Sequence, residues 1–232
     1  GLPKEVSATP VNRLCGSSLD AIAHASRAIK AEEADLMLIG GVESMSRAPF
    51  VMGKAEAAFS RSARIEDTTM GWRFVNPALE ALYGTETLPQ TAENLAREYG
   101  ISRAAQDAFA LRSQCRVAEA QKAGRFDDEL IELRIPQGKG APDLVVTRDE
   151  HPRETTMEKL AKLRPVTSAD GTVTAGNASG INDGAAAVVL MTEEEAAKRG
   201  LKPLARIASY ATAGLDPSIM GVGPIHASRK AL

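Results

Sequence analysis

Residues 11–45, "VNRLCGSSLDAIAHASRAIKAEEADLMLIGGVESM", carry the signals of successive packed elements. Just upstream, "ATPVN" (8–12) predicts a short strand. After Cys15 and Gly16 the spacing of Leu19, Ile22, Ala23, Ser26 and Ile29 predicts a helix over 17–31. Its many Ala and Ser positions allow neighbours to approach closely. "DLMLIGGVE" (35–43) is a nearly unbroken apolar run that ends in glycines, the pattern of a strand buried on both faces. Strand, tight turn, helix and strand together predict an α/β layer.

The same texture returns at "DGAAAVVLMTEEEAAKRG" (183–200), read as a buried strand, a Thr192 cap and a short helix ending at Gly200. "LARIASYATAG" (204–214) predicts another strand, and "GPIHASRKAL" (223–232) opens another helix. The block between, 48–165, is different: irregular and sparsely aromatic at first, then helical. A helix is expected over 91–99, entered after Pro89 and closed by Gly100. A longer one begins at the N-cap Ser102 and runs to about Ala123 before Gly124. Its expected apolar stripe is Ala104, Ala108, Leu111, Cys115 and Ala118. This block reads as an insertion carried on the α/β layer.

The totals bound the function. Over 232 residues, 44% hydrophobic and 25% charged composition matches ordinary globular chains, and 4% aromatics leave the core to aliphatic residues and glycine. A formal net charge of −2 offers no basic surface for nucleic acid. No apolar run reaches the roughly 18 residues of a membrane span. Two cysteines suit a reducing compartment better than a disulfide framework, so a cytoplasmic protein is expected. The first residue is Gly1 and the last helix stops without a cap signal, which predicts a fragment truncated at both ends.

Cys15 is the first candidate for chemistry. At a helix N-terminus, free backbone N–H groups and the helix dipole favour a thiolate and an oxyanion formed beside it. The bland alternative is a small cysteine packed in a turn. Cys115, on the expected stripe of the long helix, reads as core. His24 lies nine residues along the helix from Cys15, about 13 Å of rise, too far to act as its base. His151 sits in the polar loop "DEHPRE" and His226 follows "GVGPI"; neither pairs with a cysteine by position. The run "TVTAGNASGINDGAA" (172–186) lets backbone approach a ligand but lacks the Gly-Lys-Ser/Thr of a phosphate loop. By pattern alone, a tight turn leading into a buried strand is the reading to prefer.

Taken together and in order, "VNRLCGSSL", "GGVESMSRAPF", "TAENLA", "SRAAQDAFALRSQ", "AGRFDDEL", "AKLRP", "AGNASGINDGAAAVVL" and "GPIHASRKAL" resemble the thiolase family over essentially the whole chain. The stretch "FVMGKAEAAFSRSARIEDTTMGWRFVNP" (50–77) is most similar to the branch acting on 3-oxoadipyl-CoA in aromatic-compound degradation. The resemblance implies a thiolase-like layered α/β/α half with an inserted, mostly helical loop domain. Residues 1–47 and 166–200 would belong to the N-terminal half, 48–165 to the loop domain and 201–232 to the start of a second half.

It further implies that Cys15 takes the acyl group while acetyl-CoA departs, and that CoA then collects it. Leu88 matches a position lining the pantetheine tunnel, and Ala175 and Ser179 match positions touching the pantetheine arm. Arg153, aligned with a one-residue gap, falls near the position meeting the CoA nucleotide. Thr87 stands where simpler members have histidine, and His226 where proline is usual. The family's catalytic histidine, its second cysteine and its Asn-Glu-Ala-Phe segment lie downstream of Leu232, so this chain alone is expected not to turn over. CoA thioesters are the expected partners, in a homodimer or homotetramer with exposed apolar surface on the isolated chain. Neither a bound cofactor nor a metal is expected. Alternatives are an acetoacetyl-CoA thiolase, a condensing enzyme of fatty-acid or polyketide synthesis, which would lack the loop domain, and a non-catalytic acyl-CoA binder or structural module, which would not need Cys15.

Overall fold

The computed structural model describes residues 1–232. The chain forms seven α-helices and six strands, in two compact units. Unit 1 comprises Gly1–Arg73, Ile181–Gly214 and Val222–Leu232; unit 2 comprises Phe74–Gly180 and Leu215–Gly221.

In unit 1, α1 (Ser17–Lys30) packs on β1 (Leu36–Glu43) and β6 (Gly184–Met191), which pair antiparallel from Leu36↔Met191 to Glu43↔Gly184. The α1 helix keeps the start expected of it. It buries Ala23, Ala25 and Ser26, small residues that bring its axis close to the strands. Gly41 is needed for that approach, because a Cβ there would collide with the Ser18 hydroxyl of α1. Beyond the last β1–β6 pair, Asp183 accepts hydrogen bonds from the Ser46 N–H (2.8 Å) and hydroxyl (2.6 Å). A small hairpin, β2 (Phe50–Met52) with β3 (Ile65–Asp67), completes the unit's regular structure with α6 (Glu193–Lys198) and α7 (Gly223–Ala231).

Three expectations for this unit need correction. Both β1 and β6 were expected to be buried on both faces, yet only Ile39 of β1 is fully buried, and Leu38, Val42, Val188 and Val189 are exposed. The sheet has two strands with α1 on one side, so the opposite face, with Leu38, Val42 and Val189, stays uncovered; Val188, beside Ile39 on the α1 side, is only partly covered by that single helix. Neither 8–12 nor 204–214 forms a strand. An apolar run becomes a strand only where another backbone supplies its ladder, and these segments have none. Residues 204–214 are held by side chains instead: Tyr210 lies under Arg27 (5.3 Å) and Lys30 (5.8 Å) of α1.

Unit 2 is mostly helical: α2 (Pro77–Tyr83), α3 (Leu88–Glu98), α4 (Arg103–Lys122) and α5 (Met157–Ala161), with a hairpin of β4 (Leu133–Ile135) and β5 (Leu144–Val146). The α3 helix begins three residues before the expected Thr91, because Gln90 Oε1 accepts from both the N–H (2.7 Å) and the hydroxyl (2.8 Å) of Thr87. The α4 helix has the expected limits, with the Ser102 hydroxyl accepting from the Ala105 N–H at 3.2 Å and Gly124 (φ 67°) closing it. Ser102→Ala is expected to destabilise the unit by about 1 kcal/mol, readable as a shifted urea midpoint at constant slope.

The inward face of α4 differs from the expected stripe. Asp107 is buried and Ala110, Leu111, Gln114 and Val117 are half-buried, whereas Ala104, Ala108, Cys115 and Ala118 are exposed. Cys115 is therefore a surface residue. The face is chosen by Asp107, whose carboxylate has partners only on the inner side.

The compact units part at 73/74, 180/181, 214/215 and 221/222. The β2–β3 hairpin clusters with unit 1, while residues 166–180 are bound by hydrogen bonds to α3 and α4. No helix is long and apolar enough to cross a membrane.

Candidate active site

Cys15 lies in unit 1, two residues before α1, and is exposed. The turn that presents it is built from its neighbours. Leu14 adopts φ 49°, a left-handed conformation that costs a non-glycine residue about 1–2 kcal/mol. Hydrogen bonds hold it there: the Leu14 N–H donates to Asn12 Oδ1 (2.9 Å), and the Leu14 carbonyl accepts from the Ser17 hydroxyl (2.6 Å) and N–H (3.1 Å). The Arg13 N–H donates to Ser17 Oγ at 2.8 Å, and Gly16 N–H to the Arg13 carbonyl at 3.0 Å. The Cys15 N–H takes no part in these bonds. Gly16 occupies the N-cap without a side-chain cap, so the positive end of α1 is not blocked by a carboxylate or hydroxyl at that position.

One acidic group stands in the first turn of α1. Asp20 is bound by Arg13 (Nε–Oδ2 3.1 Å), and His24 Nε2 lies 3.8 Å from the same oxygen. His24 thus faces Asp20, in keeping with its distance along the helix from Cys15. The strand expected before Cys15 is absent, so the turn is fixed by Asn12, Arg13 and Ser17 alone.

The other four candidates lie in unit 2. Leu88 is the first residue of α3 and is 56% exposed. Arg153, also exposed, donates its N–H to Gln114 Oε1 of α4 at 3.0 Å and its Nε–H to the His151 carbonyl at 3.4 Å. Ala175 and Ser179 are exposed on one loop, 171–180. No hydrogen bond joins Leu88 or Arg153 to that loop or to one another.

What sequence reasoning missed is how this loop is held. Glu93 of α3 binds its start: Oε1 accepts from the N–H groups of Thr172 and Val173 (both 2.7 Å) and from the Thr167 hydroxyl (2.9 Å), and Oε2 from the Thr172 hydroxyl (2.8 Å). Burial pushes the Glu93 carboxyl up, but these four donors outweigh it and hold its pKa below the ordinary glutamate range. Asp107 of α4 binds the middle of the loop, accepting from Asn177 Nδ2 (3.0 Å) and from Arg103 Nε (2.8 Å). Asn177 in turn donates to the Thr172 carbonyl and accepts from the Thr174 N–H. Thr174 is wholly buried, and Ala175 follows it into solvent. The one sequence signal was two acidic residues, in "TAENLA" and "SRAAQD", on the inner faces of helices.

Gly176 completes the arrangement. A Cβ there would lie within 2.6 Å of methyl carbons of Leu160 in α5 and of Leu163 just beyond it. Gly176→Ala is therefore expected to cost about 1–3 kcal/mol by overpacking and to raise hydrogen exchange across 172–179.

Comparison with known proteins bears on what these residues do. A family model described as "Thiolase, N-terminal domain" matches residues 1–194. This chain belongs to the thiolase family. It is 60% identical, over all of its length, to 58% of a beta-ketoadipyl-CoA thiolase of Acinetobacter baylyi. It is 54% identical, over all of its length, to 58% of the 3-oxoadipyl-CoA/3-oxo-5,6-dehydrosuberyl-CoA thiolase of Escherichia coli. Among solved structures, human mitochondrial 3-ketoacyl-CoA thiolase in complex with CoA superposes with a TM-score of 0.84 at 40% identity, covering all of this chain and 56% of that one. The chain thus has a thiolase-like α/β fold and spans a little over half the length of these thiolases.

Proposed function

We propose that the protein to which this chain belongs is a thiolase that cleaves 3-oxoacyl-CoA, with 3-oxoadipyl-CoA as its substrate and Cys15 as its nucleophile. The observation that carries this reading is an exposed cysteine at the uncapped start of α1, presented by a strained turn. Its setting within a chain 54–60% identical to thiolases named for the beta-ketoadipyl or 3-oxoadipyl substrate supports the substrate.

The chemistry follows from that placement. The Cys15 thiolate attacks the C3 carbonyl, and the C2–C3 bond breaks with its electron pair passing to C2. Protonation at C2 releases acetyl-CoA and leaves the acyl group as a thioester on Sγ. CoA thiol, on losing its proton, attacks that thioester and frees the cysteine. The Cys15 N–H and the positive end of α1 stabilise the oxyanions. Proton transfer falls to groups that the family resemblance places outside these 232 residues. Leu88, Ala175 and Ser179 contact the pantetheine arm and Arg153 the nucleotide; CoA serves as substrate and no bound cofactor is required.

On this reading residues 1–47 and 166–200 are parts of the N-terminal half, 48–165 a loop domain and 201–232 the start of a second half; the family match ending at residue 194 supports that last limit. The uncovered apolar face with Leu38, Val42 and Val189 supports further protein contacts, assigned to a homodimer or homotetramer. A nucleophilic thiol and two free cysteines suit the reducing cytoplasm.

The test completes the chain to the length of the Acinetobacter baylyi relative with that protein's flanking sequence. The protein is incubated separately with 3-oxoadipyl-CoA and acetoacetyl-CoA. Acetyl-CoA release is followed, and mass spectrometry reads the acyl group on the Cys15 peptide. Succinyl-type mass gained at Cys15, faster than acetyl from acetoacetyl-CoA, is the expected result. The reverse order would remove the substrate assignment, and no acylation of the folded protein would remove thiolysis altogether.

A further inference from the structure

We propose that Glu93 is a positioning residue for CoA-thioester binding, acting by holding the loop that presents Ala175 and Ser179. This rests on the reading of those two residues as pantetheine contacts. The middle of the loop is held by its own turn, in which the Asn177 and Ala178 N–H groups donate to the Thr174 carbonyl (3.2 and 3.0 Å), and by the Val166 N–H donating to the Val173 carbonyl (2.9 Å). Ala175 and Ser179 are both exposed. Where this turn sits against the helices is set by side chains of α3 and α4.

Glu93 is placed to set the loop's entry. One carboxylate receives two consecutive backbone N–H groups, those of Thr172 and Val173, both at 2.7 Å. Such a pair fixes the direction of the chain as well as its position, since both N–H vectors must converge on one oxygen. The Thr172 hydroxyl is shared in the same way, donating to Glu93 Oε2 and accepting from Gln106 Nε2 of α4 at 2.8 Å. Gly171 lets the carboxylate come this close, because a Cβ there would stand 2.7 Å from Glu93 Oε1. Three residues beyond Thr172, the chain emerges at Ala175, and Asn177 returns it to Asp107. Glu93 therefore anchors the segment that leads into Ala175.

Glutamine at position 93 keeps the size but loses the charge, and it turns an NH2 group toward donors on one side. The loop then samples other conformations while the helices remain. Contacts to the pantetheine arm act alike before and during bond breaking, so the effect falls on binding and not on chemistry. In the completed protein, Glu93→Gln is expected to raise the KM for 3-oxoadipyl-CoA about tenfold with kcat within about twofold. The rate of Cys15 alkylation by iodoacetamide should stay the same, and hydrogen exchange of the Thr172 and Val173 amides should accelerate.

Faster exchange with an unmoved KM would reduce Glu93 to a stabiliser of the fold, and unmoved exchange would remove the anchoring itself. Should the wild-type protein fail to acylate Cys15, the thiolase reading fails. Equilibrium binding of CoA to wild type and Glu93→Gln then decides this proposal alone. If Glu93→Gln does not fold, Thr172→Val, which removes one of the four bonds and leaves the N–H pair, should give the same KM change at smaller size. No KM change in a folded Thr172→Val with accelerated exchange would equally overturn it.

Discussion

Cys15→Ala, made in the completed protein, is expected to lower thiolysis of 3-oxoadipyl-CoA by at least about 10⁴-fold, the scale on which loss of a covalent nucleophile acts. Folding should be untouched. The thiol is exposed, so its removal opens no cavity, and exposed substitutions of this kind change stability by about 0.5 kcal/mol or less. The turn around it is held by Asn12, Arg13 and Ser17, none of which bonds to the Cys15 side chain. Unfolding curves of the two proteins should therefore superpose while their rates diverge. Cys115→Ala provides the contrast: it removes the other exposed cysteine, on α4, and should alter neither. A Cys15→Ala protein that retained a tenth of wild-type turnover would mean that another group forms the bond.

Asp107→Ala is expected to be the most destabilising single change in unit 2, at about 3–5 kcal/mol. Asp107 is 1% exposed, and removing it leaves the Arg103 guanidinium half-buried without its counter-charge and Asn177 without one acceptor. Arg103 also donates to the carbonyls of Leu160 (2.6 Å) and Leu163 (3.1 Å), so the loss reaches α5 and the floor under Gly176. Urea unfolding followed by helix circular dichroism measures the change, since α3 and α4 lie in this unit. Pairing Asp107→Leu with Arg103→Met should recover part of it, because the apolar pair no longer leaves an unmatched charge. A cost below about 1 kcal/mol for Asp107→Ala would place the Arg103–Asp107 pair among ordinary surface ion pairs.

Both predictions turn on side chains whose importance was unequally visible beforehand. Cys15 stood out because its signal is local: a cysteine and a glycine immediately before a run of helical period. The loop 172–179 was recognised by its glycines and by resemblance, and its exposed members Ala175 and Ser179 with it. Glu93 and Asp107 were not, since their partners stand 79 and 70 residues away along the chain.

The same division runs through the fold. Residues within one turn of each other were enough to place α1, α4 and α6, because caps such as Ser102 and Thr192 and closing glycines such as Gly124 act on backbone only three or four positions away. Family membership was also written in the order of short motifs. Strands were another matter: the apolar runs at 36–43 and 184–191 found each other, whereas 8–12 and 204–214 found no backbone to pair with. Composition alone does not distinguish these outcomes. The buried face of α4 likewise depended on where a carboxylate could be satisfied, which moved Cys115 from the expected core to the surface. A ladder or a buried ion exists only when distant segments meet, and desolvating an unpaired polar group costs more than exposing an alanine or a cysteine, so tertiary packing decided which faces turn inward.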